Sequence, residues 1–339
     1  MPIAPRPRRA TALLVVALAV GCLPEETPSW LLTDPRLIVI EQWVVATGEL
    51  SPPLEGDGVR RREGLPGDRL RLTAHFAGPD GPLTPEQTPI WIRSRRNYIY
   101  NPSGEPFPPC ADDGLDAAIY CRIDGDALTL PPVPPEGFQG ANENFVFMIA
   151  STSPSIDAEG CLEFLSRNDD SERFDCHFGR EKLTYGPYYR VQELAGLEVT
   201  APVIEPDRYA ETLVLILSFT GPAGERTEFA DYGDVVVMRP DETLTIDFGT
   251  EEGDLQIVDG GADTEERRES LRARFFASAP VLPDSAVYEL TAAEGIAAPP
   301  ADGAFIFASV DEGGREGGGS NLRWFYIQLV LGDPEAPAP

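Results

Sequence analysis

The stretch Gly67-Asp68-Arg69-Leu70-Arg71-Leu72-Thr73-Ala74-His75-Phe76-Ala77-Gly78-Pro79-Asp80-Gly81 decides the fold. Between Arg69 and Phe76 the apolar residues fall at every second position. Leu70, Leu72, Ala74 and Phe76 share one face, and Arg69, Arg71, Thr73 and His75 share the other. A period of two marks a strand with one face on a core and one in water, the arrangement of antiparallel sheets. Gly67-Asp68 supplies a turn before the strand and Gly78-Pro79-Asp80-Gly81 a turn after it. On this reading His75 is a solvated residue of the polar face.

The same pattern recurs along the chain. Leu37 to Val45 is apolar and β-branched, Pro89 to Ile92 places Trp91 in a core, and Phe145 to Ala150 and the tyrosine-rich Leu183 to Val191 read as strands. A second series comprises Thr212 to Thr220, Asp234 to Arg239, Thr243 to Phe248, Leu271 to Ser278, Ala286 to Leu290, Ala304 to Ser309 and Leu322 to Leu331. Asp157 to Arg167 predicts one short helix: Ala158, Cys161, Leu162 and Leu165 have helical spacing, and Asp157 and Glu159 suit the positive end of a helix dipole. No long amphipathic helix interrupts the strands. Short strands with turns at such spacing predict an all-β chain built as an antiparallel β-sandwich or barrel, and the chain is long enough for two such domains in tandem.

Ahead of the strands, Arg6, Arg8 and Arg9 precede an apolar run from Ala10 to Val20, then Gly21 and Cys22. A basic start, a short apolar core and a small residue form a secretory signal. A membrane span needs about 20 apolar residues, which this run does not reach. Leu18-Ala19-Val20-Gly21-Cys22 resembles the lipobox of bacterial lipoproteins, with Ala19 where Leu is usual. That resemblance implies acylation of Cys22, cleavage before it and, with Leu23 following, an outer-membrane location on either face. The alternative is a free or disulfide-bonded Cys22 after an ordinary cut. The expected divisions are a signal peptide over 1–21, a tether over 22–35, sandwiches over 36–193 and 194–332, and a tail over 333–339.

The chain carries 27 basic and 56 acidic residues, a formal charge of −29, and loss of the leader removes three of the arginines. Such a surface repels nucleic acid and anionic head groups, and solubility is its plainest use. With Cys22 assigned to the anchor, Cys110, Cys121, Cys161 and Cys176 form an even set in an exported chain, which implies disulfides. Pairing Cys110 with Cys121 and Cys161 with Cys176 closes the shortest loops and costs the least chain entropy. A metal site is the competing reading, but the spacings match no zinc knuckle.

Leu65-Pro66-Gly67-Asp68-Arg69-Leu70-Arg71-Leu72-Thr73-Ala74 resembles the opening strands of bacterial immunoglobulin-like modules. Glu269 to Ser278 and the pair within Phe305 to Leu331 resemble their closing strands. With the lipobox and the paired cysteines, the chain resembles surface lipoproteins of the myxobacterial type. The resemblance implies immunoglobulin-like sandwiches; this chain departs from antibody-type domains in lacking the cysteine pair that bridges their two sheets.

Catalytic patterns are sparse. His75 and His177 are the two histidines, and Lys182 is the single lysine. The sequence holds no Gly-x-Ser-x-Gly elbow, His-Glu-x-x-His or phosphate-binding loop. Gly313 to Gly319 reads as a flexible hairpin loop. Asp112, Asp113 and Asp116, and Asp169, Asp170 and Glu172, are weak calcium candidates inside the two cysteine loops; solvated acids are the plainer reading. Tyr98, Tyr100, Tyr185, Tyr188 and Tyr189 either cover a sandwich edge or offer a stacking surface. The resulting expectation is a non-enzymatic, lipid-anchored envelope protein without a cofactor. Its partners are the membrane, through the anchor, and an envelope protein or glycan. The alternatives are a glycan-active hydrolase with dispersed carboxylates and a calcium-stabilised adhesin.

Overall fold

The alternating stretch forms β2 (Arg69–Gly78), which pairs antiparallel with β1 (Arg36–Ala46), Leu72 standing opposite Gln42. The computed structural model describes residues 28–49, 51, 54, 61–62, 64–65, 67–85, 88–101, 104–112, 118–130, 144–166, 175–183, 213–250, 257–259, 267–268, 271–283, 292–311 and 322–332. The leader, Cys22, the 313–319 loop and the segments expected as strands at 184–191 and 286–290 lie outside these residues.

The chain continues through β3 (Gly81–Leu83), β4 (Ile90–Ser94), β5 (Tyr120–Ile123), β6 (Ala127–Thr129), β7 (Asn144–Ser151), helix α1 (Ala158–Ser166) and β8 (Cys176–Leu183). One sheet has the order β1-β2-β3, with β6 also on β2, and the facing sheet has the order β5-β4-β7-β8. Their inner faces meet in a core built on Ile40, Leu70, Leu72, Phe76, Trp91, Val146 and Met148. In chain order this is A-B-E facing C′-C-F-G, the immunoglobulin arrangement. Neither β2 nor β7, the B and F positions, carries a cysteine.

The second sandwich contains β9 (Val214–Gly221), β10 (Gly224–Ala230), β11 (Val235–Met238), β12 (Thr243–Gly249), a small hairpin of β13 (Ile257–Asp259) and β14 (Arg267–Arg268), β15 (Arg272–Ala277), β16 (Ala292–Ile296), β17 (Ala304–Asp311) and β18 (Leu322–Leu331). Sheet β10-β9-β12-β16 faces sheet β11-β18-β17-β15. The core between them includes Leu217, Phe219, Ile246, Phe275, Ile306 and Ile327. The strand β10 escapes sequence reading because its inward face is ionic. Arg226 lies on the Phe219 ring, 3.4 Å from its centroid, and pairs with buried Glu242 at 3.0 Å. Inward charges of this kind discourage further strand addition at a sheet edge.

The two sandwiches stack sheet against sheet. The face of β1 and β2 turned away from their own core meets β17 and β18, burying Leu32, Val39, Ala77, Phe307 and Trp324. His75 is therefore not a solvated residue. Its ring stacks on Trp324 at 5.3 Å, and its Nε2 lies 3.0 Å from Glu41 Oε2. The other Glu41 oxygen accepts the Trp324 backbone N–H at 2.8 Å, and Trp324 Nε1 donates to the Tyr232 hydroxyl at 2.7 Å. The near-continuous apolar run of β1 follows from this placement, since it is packed on both sides.

Residues 30–32, expected within the tether, are part of the fold. Leu31 bridges Ala277 in parallel; Leu32 N–H donates to Ala277 O at 2.8 Å and Ala277 N–H to Trp30 O at 3.0 Å. Trp30 is buried in the core of the second sandwich, although the chain next enters the first. The Gly67-Asp68 turn also does more than reverse the chain. Asp68 is fully buried and accepts from Gly48 N–H at 2.6 Å, Leu65 N–H at 2.7 Å, the Ser51 hydroxyl and Arg61 Nη2 at 2.5 Å. A Cβ on Gly48 would stand 2.6 Å from the Gly67 carbonyl carbon, so only glycine lets these two turns approach.

Candidate functional site

The β5-β4-β7-β8 sheet is apolar on both faces. Trp91 and Met148 point to the sandwich core, while Ile90, Ile92, Phe145, Phe147 and Ile149 point outward under Ala158, Cys161 and Leu162 of α1 and under Ile99. The helix starts where expected. Asp157 caps it, its Oδ1 accepting the Gly160 N–H at 2.7 Å. Cys161 is joined to Cys176 at the start of β8, with their Cα atoms 5.5 Å apart. On the other side of the sheet, Cys110 is joined to Cys121 of β5, with Cα atoms 4.8 Å apart. Cys110 N–H donates to Arg122 O at 2.7 Å and Arg122 N–H to Pro108 O at 2.8 Å, so the 108–110 segment adds a short strand to the β5 edge. Both pairings match the loop-entropy expectation, and both fasten a covering segment to the same sheet.

Beside these staples lies a cleft of about 380 Å³, lined by Thr88, Pro89, Ile90, Phe107, Pro109 and Arg122 to Gly125. That volume falls at the lower end for small-ligand sites, roughly 300–1,000 Å³. Arg122 reaches Glu159 of α1 at 2.5 Å; both side chains are about half exposed (44% and 56%), so the pair orients more than it stabilises. Phe107 meets Tyr120 edge-on at 5.6 Å. Burial raises the Tyr120 hydroxyl above its usual pKa, opposed by the Tyr100 backbone and by Arg96. Tyr98 and Tyr100 are exposed, and Arg96 Nη1 donates to the Tyr98 hydroxyl at 2.7 Å. The surface therefore combines apolar rings and prolines with the Arg96 and Arg122 guanidiniums and the Asp124 and Glu159 carboxylates, a composition suited to binding.

The remaining candidates disperse. His177 stands at the start of β8, where its Nε2 lies 2.9 Å from Thr152 Oγ1 and Phe76 meets its ring edge-on. Burial lowers its pKa, with Asp175 acting the other way. The Thr152 contact ties β8 to the end of β7, and His177 is not among the residues that line the cleft. Asp112 is exposed, while Asp113, Asp116, Asp169, Asp170, Glu172, Tyr185, Tyr188 and Tyr189 lie outside the described residues. Among the described residues no three or more His, Cys, Asp or Glu side chains gather in a group that would hold a metal, and no helix is long and apolar enough to cross a membrane. Sequence reasoning missed Thr88, Pro89, Pro109, Arg122 and Asp124 as cleft residues. The available signal was Pro108-Pro109-Cys110, an extended segment that a disulfide fixes in place. No protein-family model, curated protein or solved structure matches this chain.

Proposed function

We propose that this chain is a non-enzymatic, lipid-anchored protein of the cell envelope, held in the outer membrane by acylated Cys22 and presenting two immunoglobulin-like sandwiches for binding. Its affinity with surface lipoproteins of the myxobacterial type belongs to the same proposal. Two or more acyl chains anchor stably at about 0.8 kcal/mol per buried methylene, so no membrane-crossing segment is required. The observation that carries the binding role is that two disulfides fasten both covering segments to one sheet, which bears an open cleft at the Ile90 end of β4 and exposed Tyr98 and Tyr100 beyond its Ser94 end. A stapled surface loses little entropy when it engages a ligand. The ligand is an envelope protein or a glycan, because the acidic surface repels polyanions.

Two measurements test the proposal. Detergent-phase partitioning of the wild type against Cys22→Ser reads the anchor: the variant accumulates as precursor or moves to the aqueous phase, and unchanged partitioning refutes acylation. Capture from cell envelopes with the processed chain reads the binding face. Tyr98→Ala with Tyr100→Ala reduces recovery at least several-fold; equal recovery at unchanged melting temperature removes this face from the proposal.

A further inference from the structure

The clipped segment at residues 30–32 fixes where the chain leaves the fold. Leu31 bridges Ala277, Trp30 is 3% exposed in the second core, and Ser29 O accepts from Arg36 Nη1 at 2.5 Å. Cys22 and Pro28 are six peptide links apart. At about 3.3–3.6 Å per residue those links reach at most ~20 Å. A tether free as far as Pro35 would reach more than twice as far and would leave from the first sandwich. The clip both shortens the leash and moves its origin to the edge of β15.

Strand registers show which end of the molecule this is. Arg36 pairs with Ala77, and Ala277 with Ile306, so the start of β1, the end of β2, the end of β15 and the start of β17 share one end with Pro28. The turns at Pro79-Asp80 and Ala301-Asp302 belong to that end, where Asp34, Asp80 and Asp302 are exposed. At the other end Ala46 pairs with Arg69 and Arg272 with Asp311. The strand β8 runs with β1: Gly179 faces Leu37 and Ile40, while Glu181 meets Arg62, whose neighbour Arg61 pairs with Val44. Leu183 therefore lies at the far end, and with it Ser94, through the pairs Asn144–Leu183 and Phe145–Ser94. The chain leaves β4 at Ser94 into Arg96, Tyr98 and Tyr100. The 11 residues of β1 span about 35 Å at ~3.4 Å each.

We infer that the anchored protein stands with its Asp80 and Asp302 turns toward the bilayer, Pro28 being held within about 20 Å of it, and carries the Arg96–Tyr100 segment on the side facing away. The partner that this segment contacts is then one that approaches from beyond the anchoring membrane, not a lipid or a protein flush with that bilayer. The exposed carboxylates at the near end keep it from adsorbing to anionic head groups. This inference rests on acylation at Cys22 and adds orientation to it.

The test uses the full chain, expressed with its leader and recovered in processed form, in phosphatidylcholine vesicles containing a lipid with a nitroxide head group. A fluorescent amino acid is installed at Asp302 or at Asn97. Quenching is several-fold stronger at 302 than at 97; equal quenching, or the reverse order, overturns the inference. A flexible Gly-Ser insertion of about 20 residues after Glu26 lengthens the leash and shrinks that difference, and an unchanged difference also overturns it. Intact mass reads acylation separately. If Cys22 carries no lipid, the acylation reading fails alone, and coupling the Cys22 thiol to a maleimide lipid repeats the orientation test with the same two outcomes.

Discussion

Raising the pH from 5 to 8 should weaken the folded state through one carboxyl group, and Glu181→Gln should remove that part of the response. Glu181 lies on β8 and is 8% exposed. It faces Arg62, whose Nη2 lies 3.3 Å from Oε1, and feels Asp311 at the end of β17 and Arg180 on its own strand. Burial pushes its pKa from 4.5 up to about 7; Arg62 opposes that rise and Asp311 adds to it. A carboxyl raised in the folded state favours folding while it is protonated. That contribution is complete below 4.5, declines as pH rises, and is gone once pH passes about 7. The full difference corresponds to about 3 kcal/mol, of which about 2.5 kcal/mol falls between pH 5 and pH 8. Urea unfolding of wild type and Glu181→Gln at both pH values measures it. Every other ionisable group is common to both proteins and cancels in the difference between the two changes. The variant gains about 2.5 kcal/mol on the wild type between pH 5 and pH 8. Identical pH dependence in the two proteins refutes the reasoning.

Other expected outcomes concern stability. Replacing Cys110 and Cys121 together by Ser, or Cys161 and Cys176, costs about 3 kcal/mol each from the loop closed, read by thermal melting with and without reductant. Trp30→Ala costs about 3–5 kcal/mol as a buried aromatic deletion. Hydrogen exchange should show the loss concentrated in β15 and β17 of the second sandwich, and a loss confined to the first would contradict the clip. Asp68→Ala strips the buried Arg61 guanidinium of its carboxylate and two backbone N–H groups of their acceptor, costing about 3–5 kcal/mol; a melting shift no larger than that of an exposed Asp80→Ala control would contradict it.

Most of the sandwich pattern was legible because period-two alternation is local. Arg69 to Phe76, Thr243 to Phe248 and Ala304 to Ser309 each lie within strands of the structure. The helix was legible from spacing and from Asp157, and the disulfides from loop length. What alternation cannot report is what lies beyond a strand's polar face. His75 reads as solvated until a second sandwich is placed against it, and that contact joins residues 75 and 324. Pro28 to Leu32 reads as tether because its strand partner is Ala277, far along the chain. The strand β10 was missed because Arg226 and Glu228 face inward, inverting the usual rule. The cleft went unread because its walls come from three separate segments, of which Pro108-Pro109-Cys110 alone carried a signal.

The packing of one sandwich's sheet on the other's has a consequence for genetics. Cutting the gene between its two halves cannot yield two independent working parts. The upstream piece would keep Val39, Ala77 and His75 on a face stripped of its aromatic cover, and the downstream piece would lack the tryptophan that closes its interior. A truncation phenotype in this protein would therefore report misfolding and proteolysis, and the roles of its halves are better separated by point changes on the outside surfaces.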